Sequence, residues 1–204
     1  IGKNSLTANT TASNNVAVGK DALAANTTAD ENTAIGSLAL YTNTTGAGNV
    51  AIGHDALRLN TTASNNVAVG KDAMRANTTG TANVAVGVEA LDAITDAEAN
   101  TAVGYQALTA STASSNTAVG RASLYTNTTT SNNTALGFQA LYTNAANNNS
   151  ALGHNALFNN TTGASNTAVG KGALENNTTA SDNTAMGLSA LAATTTGANN
   201  TAVG

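Results

Sequence analysis

The sequence contains no cysteine, no proline and no tryptophan, and only six of its 204 residues are aromatic. Without cysteine the chain can form neither a disulfide framework nor a thiolate site. Charged residues make up 9% of the chain and the formal net charge is −4, which excludes the basic footprint of a nucleic-acid-binding protein. The apolar runs span only a few residues, so no membrane insertion is predicted for this segment. What remains is rich in Ala, Thr, Asn and Gly, a composition unlike that of an ordinary globular core.

A glycine preceded by an apolar residue recurs along the whole chain, and we call it the frame glycine. Ten of the twelve spacings between frame glycines are 17 residues and two are 16. Asparagine occupies the fourth position before each of the twelve frame glycines from Gly19 to Gly204, and alanine always occupies the second. This periodicity predicts one continuous repeat array over residues 1–204. The frame glycines are Gly2, Gly19, Gly36, Gly53, Gly70, Gly87, Gly104, Gly120, Gly137, Gly153, Gly170, Gly187 and Gly204.

Each repeat is predicted to contain two short strands and two turns. The segment before the frame glycine, such as residues 16–18, alternates β-branched and small side chains, and a second strand is predicted around the Ala-Leu pair at residues 22–23. The Asn-Thr-Thr segment that follows has turn chemistry, and both 16-residue repeats have lost a residue there. Residues 88–100 have a helix-forming composition but keep the 17-residue frame, which favours a decorated coil. The predicted fold class is all-β, a parallel β-solenoid of about twelve 17-residue coils.

Stacked coils about 4.8 Å apart would place equivalent side chains in columns along the array. We expect the columns of Val18 and Leu23 to lie inside, and the column of Asn15 to form an amide ladder or turn cap. The alanine column of Ala17 predicts small-residue faces through which chains associate. One coil could not fold alone, because its neighbours supply the packing.

Three segments carry a resemblance to known fibre proteins: NVAVGKDALAANTTA at residues 15–29, NTAIGSLAL at 32–40 and NTAVGYQALTA at 100–110. They resemble the head repeats of trimeric autotransporter adhesins, and still more the repeat arrays of phage tail-fibre and related surface-fibre proteins. The match covers the whole chain, although the Asn-Thr-Thr loop is longer than in the adhesin heads.

The resemblance implies a left-handed β-roll in each chain, three chains wound into a homotrimeric fibre, and an extracellular, cell-surface or virion location. The expected function is that of a structural shaft or stalk, either adhesive or passive and self-assembling. Because both ends fall in phase with the repeat, we expect residues 1–204 to be an interior fragment of a longer fibre.

Enzymatic chemistry is not expected, and neither a cofactor nor a metal ion is predicted. The two histidines, His54 and His154, are one hundred residues apart, so they cannot share a metal site or a catalytic dyad. The acids at the second position after the frame glycine are expected to form an exposed column. They are Asp21, Asp55, Asp72 and Glu89.

The large side chains point to a candidate binding surface. All seven basic residues and all six aromatic residues fall at the first or fifth position after a frame glycine, so these two columns are expected to face solvent or a groove between chains. Such a patch could bind a cell-surface glycan or a protein, and the alternative is a stacked ladder that only tightens the fibre. The candidate residues are Tyr125, Phe138, Tyr142, His154 and Phe158.

The Asn-Thr-Thr segments allow two further interpretations. Their threonines would make a regular hydroxyl array, as in an ice-binding β-solenoid, although their loop-like neighbours argue against a flat surface. The same segments are acceptor sequences for N-glycosylation in an exporting host. The candidate glycosylation sites are Asn9, Asn26, Asn43, Asn60, Asn77, Asn127, Asn160 and Asn177.

Overall fold

The computed structural model describes residues 1–204 without a gap. It contains twelve strands of three residues, one before each frame glycine from Gly19 to Gly204. The rest of each repeat forms turns and bends, and residues 88–100 follow the same course as their counterparts, as their unbroken frame predicted. No helix long and apolar enough to cross a membrane is present. The chain divides into two compact units, which we call unit 1 (residues 1–100) and unit 2 (residues 101–204).

Unit 1 is a parallel β-solenoid, as the sequence predicted. Each strand pairs with the strand of the next repeat in a register of 17 residues, so that Val16 lies opposite Thr33. Hydrogen bonds between coils continue outside the strands, because the amide of Leu40 donates to the carbonyl of Ala56 at 3.1 Å. Its strands are β1 (Val16–Val18), β2 (Thr33–Ile35), β3 (Val50–Ile52), β4 (Val67–Val69) and β5 (Val84–Val86).

Unit 2 has the same architecture and contains both of the shortened repeats. Thr101 pairs with Thr117, and Thr134 pairs with Ser150, each sixteen residues apart. The missing residue is absorbed by the polar loop between strands, as expected, and the strand register is unaffected. Its strands are β6 (Thr101–Val103), β7 (Thr117–Val119), β8 (Thr134–Leu136), β9 (Ser150–Leu152), β10 (Thr167–Val169), β11 (Thr184–Met186) and β12 (Thr201–Val203).

The second strand predicted around the Ala-Leu pair is wrong, because this segment folds as a series of turns. The second and fourth residues after the frame glycine have positive φ angles, 59° at Asp55 and 50° at Leu57. The amide of Ala56 donates to the carbonyl of Gly53 at 3.4 Å and closes the first turn. This conformation costs an L-residue roughly 1–2 kcal/mol. At Leu57 that cost is offset by complete burial, which contributes about 1.5–3 kcal/mol.

The prediction that the Val18 column lies inside is also wrong, whereas the Leu23 column is buried as expected. Val18 is 37% exposed and Ala17 only 7%, and in β3 Ile52 is 37% exposed and Ala51 is fully buried. Alternation along a three-residue strand places the middle side chain on the opposite face from the other two. The alanine column and the leucine column are both buried, so both face the core of their own chain. The Ala17 column therefore offers no exposed small-residue face to another chain.

Two ladders of buried asparagine side chains satisfy the polar groups of the narrow core, and the amide ladder predicted from the Asn15 column is confirmed. Asn49 donates from Nδ2 to the carbonyl of Ala63 at 2.8 Å and accepts the backbone amide of Asn66 at 3.0 Å. The asparagines of the Asn-Thr-Thr segments form the second ladder. Asn60 donates from Nδ2 to Oδ1 of Asn43 at 2.8 Å and to the same Ala63 carbonyl at 3.0 Å. Each coil is therefore tied to its neighbours through its interior as well as its strand.

The frame glycine is required by both conformation and space. Gly53 has a φ angle of 137°, a region that L-residues rarely adopt. A Cβ atom built there would lie 2.5 Å from the carbonyl oxygen of Gly70 in the next coil. No other residue type fits this turn without moving the neighbouring backbone.

Candidate binding surface

Three of the five residues predicted as a binding patch form one stack in unit 2. The ring centroids of Tyr125 and Tyr142 are 5.2 Å apart with an interplanar angle of 7°. Tyr142 and Phe158 are 5.1 Å apart with an angle of 9°. Tyr142 is covered on both faces, and Tyr125 and Phe158 are each covered on one face by it. The stack adds about 0.5–1.5 kcal/mol per pair to the contacts between coils.

The other two predicted residues belong to a second stack, in the first-position column. Phe138 and His154 stack at 5.1 Å with an interplanar angle of 21°. The guanidinium carbon of Arg121 lies 5.5 Å from the Phe138 ring centroid and 5.9 Å from that of Tyr105. Arg121 is thus held between two rings by cation–π contacts.

We call the two columns together the aromatic–cation surface. The sequence placed Tyr105 and Arg121 in the correct column but did not identify them as partners of the patch, because only folding brings successive coils into contact. The aromatic–cation surface comprises Tyr105, Arg121, Phe138, His154 and Lys171 in the first-position column, and Tyr125, Tyr142 and Phe158 in the fifth-position column.

In unit 1 the same two columns carry charges that are paired. The carboxylate of Asp55 lies 3.0 Å from Nδ1 of His54 and 3.5 Å from Nε of Arg58, within ion-pair distance of both. Lys71 forms a hydrogen-bonded ion pair with Asp72, which raises the pKa of Lys71 above its ordinary value, chiefly through that hydrogen bond and then through the charge of the carboxylate. The positive side chains of unit 1 therefore serve largely as counter-ions for its acids.

Arg75 extends this network to the next coil. Its Nε donates to Oδ1 of Asp92 at 3.0 Å, and this hydrogen bond, followed by the charge of Asp92, raises the pKa of Arg75. A bridge of this kind links residues 17 positions apart. Because the guanidinium is largely solvated, the bridge contributes at most about 1 kcal/mol.

The prediction that the acids form an exposed column is wrong for this network. Asp55 is only 8% exposed, and the Asp72 side chain is 15% exposed, because basic side chains of the flanking columns lie against them. His54, Asp55 and Asp72 place potential ligand atoms within 4.8 Å of one another. Arg58 and Lys71 already neutralise the two carboxylates, however, and the cluster has the character of a surface ion-pair network.

Unit 2 lacks this neutralisation. Its second-position column carries Gln106, Gln139 and Asn155 where unit 1 has acids. Neither Arg121 nor Lys171 forms an ion pair, whereas four of the five basic residues in unit 1 do. The aromatic–cation surface therefore has exposed positive charge next to half-buried rings.

The threonine array expected for an ice-binding surface is regular in unit 1. The first threonine of each Asn-Thr-Thr segment donates its hydroxyl to the carbonyl of the equivalent threonine one coil further on. Thr44 donates to Thr61 at 3.0 Å, and Thr61 donates to Thr78 at 3.1 Å. These hydroxyl protons are committed to the backbone, which leaves only acceptor lone pairs for water. The array is better suited to holding coils together than to matching an ice lattice.

Seven of the eight candidate glycosylation sites are buried in the folded chain. Their side chains are fully inaccessible and form the second asparagine ladder, so an attached glycan would have to break that ladder. Only Asn9 is exposed. The seven buried asparagines are Asn26, Asn43, Asn60, Asn77, Asn127, Asn160 and Asn177.

No protein-family model, curated protein or solved structure matches this chain.

Proposed function

We propose that this chain is a structural segment of an extracellular fibre, an adhesive shaft or stalk without catalytic activity. Three chains wind into a homotrimer whose coils are left-handed, on a cell surface or a virion. Identical coils that stack in constant register are suited to a shaft, because each added repeat extends the array without changing its cross-section.

The observation that carries this proposal is an apolar column on the outer face of the strands. In unit 1 Val18, Ile35 and Ile52 are 37–39% exposed, and in unit 2 Leu136 and Leu152 are 44–45% exposed. Soluble monomers rarely leave apolar side chains exposed in continuous rows. Burying these columns between copies of the chain removes them from water, and the same column in each copy gives the symmetric contact that a homo-oligomer needs.

Light scattering after gel filtration tests the assembly. We expect a mass near three times the 19.9 kDa of one chain. The double variant Ile35→Asp and Ile52→Asp should dissociate into monomers with strand-type circular dichroism, because the charges enter the contact between chains and not the core. A matched control is Thr45→Asp and Thr62→Asp, which places two charges in an exposed column on the same coils.

A monomeric wild-type chain would refute the homotrimer. Assembly that survives Ile35→Asp and Ile52→Asp would refute the apolar column as the interface. A crystal structure of the assembly would test the left-handed winding, and antibodies against residues 1–204 would test the surface location. Labelling of the producing cells or particles only after permeabilisation would exclude an exposed fibre.

A further inference from the structure

We propose that the aromatic–cation surface of unit 2 binds a linear anionic polysaccharide, with Arg121 and Lys171 contacting its acidic groups. This inference rests on the proposed function, since it names the ligand class of an adhesive shaft. It is based on a difference between the two units. The basic side chains of unit 1 are mostly paired with carboxylates, whereas those at equivalent positions of unit 2 are not.

The charge distribution supports an anionic ligand. Unit 1 has nine acidic and five basic residues, whereas unit 2 has only Glu175 and Asp182 against Arg121 and Lys171. In unit 1 the ammonium of Lys71 contacts the adjacent carboxylate of Asp72. At the equivalent places in unit 2, Ala122 follows Arg121 and Gly172 follows Lys171. Both cations are exposed and have no carboxylate within ion-pair distance, so their charge is available to a ligand.

The contacts of Arg121 prepare it for this role. Its guanidinium lies between the rings of Tyr105 and Phe138, which restricts the side chain before a ligand arrives. A guanidinium presents donors that match the two oxygens of a carboxylate or a sulfate, and stacking on rings does not use those donors. Holding a long side chain in place in advance lowers the entropy cost of binding.

The spacing of the cations favours a polymer over a small ion. Arg121 and Lys171 occupy the same column three coils apart, which corresponds to roughly 14 Å at about 4.8 Å per coil. Phe138 and His154 lie in the two intervening coils of that column. A linear chain of sugars that runs along the column meets a cation, two ring edges and a second cation in turn.

The stacking of the rings disfavours a nucleic acid as the ligand. Single-stranded nucleic acids bind to aromatic side chains whose faces are free to stack with bases. Here Tyr142 is covered on both faces by Tyr125 and Phe158, and Phe138 stacks on His154. With ring centroids 5.1–5.2 Å apart, no gap between stacked rings is wide enough for a base to insert, whereas sugar rings can lie along the outside of the stacks.

One acidic residue bounds the surface. Glu175 occupies the fifth-position column one coil beyond Phe158, and its Oε1 accepts a hydrogen bond from Nδ2 of Asn155 at 3.2 Å. This carboxylate repels an anionic ligand near Lys171. Replacing Glu175 with a neutral residue should therefore strengthen binding, whereas replacing Arg121 and Lys171 should weaken it.

The test uses the full chain and two anionic probes, polygalacturonate and dextran sulfate, with unmodified dextran as the neutral probe and oligothymidylate as the nucleic-acid probe. We expect one or both anionic polysaccharides to bind, and the relative affinity identifies carboxylate or sulfate as the preferred group. Binding should weaken as salt is raised from about 0.05 M to about 0.5 M. The double variant Arg121→Gln and Lys171→Gln should weaken it by roughly fivefold or more, and Glu175→Gln should strengthen it.

The matched control is Lys71→Gln. Lys71 occupies the first position after a frame glycine in unit 1, as Arg121 and Lys171 do in unit 2, but its charge is already neutralised by Asp72. This control should leave binding unchanged. An equal loss for Lys71→Gln, equal binding of unmodified dextran, tighter binding of oligothymidylate, or no binding at all would overturn the proposal.

Light scattering on the same samples separates this inference from the proposed function. A trimer that binds no anionic polysaccharide leaves the shaft intact and refutes the ligand. A monomer that binds polygalacturonate or dextran sulfate, with the expected loss in the double variant, refutes the shaft and supports the ligand.

Discussion

Replacing Asn60 with alanine is expected to lower the free energy of unfolding by about 3–5 kcal/mol, although the residue lies outside the strands and its side chain forms no hydrogen bond to one. Asn60 is fully buried, and its side chain takes part in three hydrogen bonds. It donates to Asn43 and to the carbonyl of Ala63, and it accepts from Nδ2 of Asn77 at 3.0 Å.

The magnitude follows from these contacts. Three hydrogen bonds at about 1 kcal/mol each account for roughly 3 kcal/mol. Oδ1 of Asn43 is then left buried without a donor, which adds about 1–3 kcal/mol as desolvation. Water that enters the space vacated by the side chain relieves about 1 kcal/mol of the summed cost of about 4–6 kcal/mol, which leaves the expected loss of about 3–5 kcal/mol.

In one repeat of the chain an isoleucine naturally replaces the asparagine at this position. Ile94 occupies the same column as Asn60, and Oδ1 of Asn77 in the preceding coil has no donor. The fold tolerates that gap where a buried apolar side chain fills the volume. Asn60→Ile should therefore be less destabilising than Asn60→Ala, since burial of the isoleucine returns about 1.5–3 kcal/mol.

Denaturant unfolding monitored by circular dichroism measures these differences, with Thr62→Ala as the control in an exposed position of the same segment. The control should change stability by less than about 0.5 kcal/mol. Equal effects for Asn60→Ala and Thr62→Ala would show that the asparagine ladder does not stabilise the solenoid.

Three other predictions concern the core, the frame glycine and glycosylation. Leu57→Ala should cost about 2–5 kcal/mol and the half-exposed Leu59→Ala little, measured by denaturant unfolding; similar losses would refute the assigned interior. Gly53→Ala should prevent regular stacking, whereas Gly172→Ala should cost about 1 kcal/mol because its φ of 66° is one that L-residues adopt; equal melting temperatures would refute the steric argument. Mass spectrometry after expression in a glycosylating host should find a glycan at Asn9 and none at the buried sequons, and a folded protein modified at those sequons would contradict the ladder.

The binding surface could be predicted only in part. The frame placed Tyr125, Tyr142 and Phe158 in one column, and column membership is a matter of counting residues from the frame glycine. Stacking at 5.1–5.2 Å with nearly parallel planes depends on the rotamers and on the rise between coils. Which charges of the neighbouring second-position column are paired could likewise be seen only in the folded chain. A carboxylate at Asp55 was expected to be exposed, but Arg58 lies against it.

The sequence by itself determined the repeat, the parallel solenoid, the loops that absorb a missing residue and the asparagine ladder of the Asn15 column, because each of these follows from spacing and from residue types that recur in every frame. The second ladder, which contains Asn60, was not predicted. Only the tertiary structure decided which face of the strand is buried. The alternation in a run such as Val16-Ala17-Val18 is compatible with burial of either the valines or the alanine. The usual preference for burying the larger side chain favours the valines, which is wrong here. Leu23, held at a φ of 53° by its turn, is fully buried, and the strand adds only its small alanine to the same interior. The large aliphatic residues are left outside, where a partner chain could cover them.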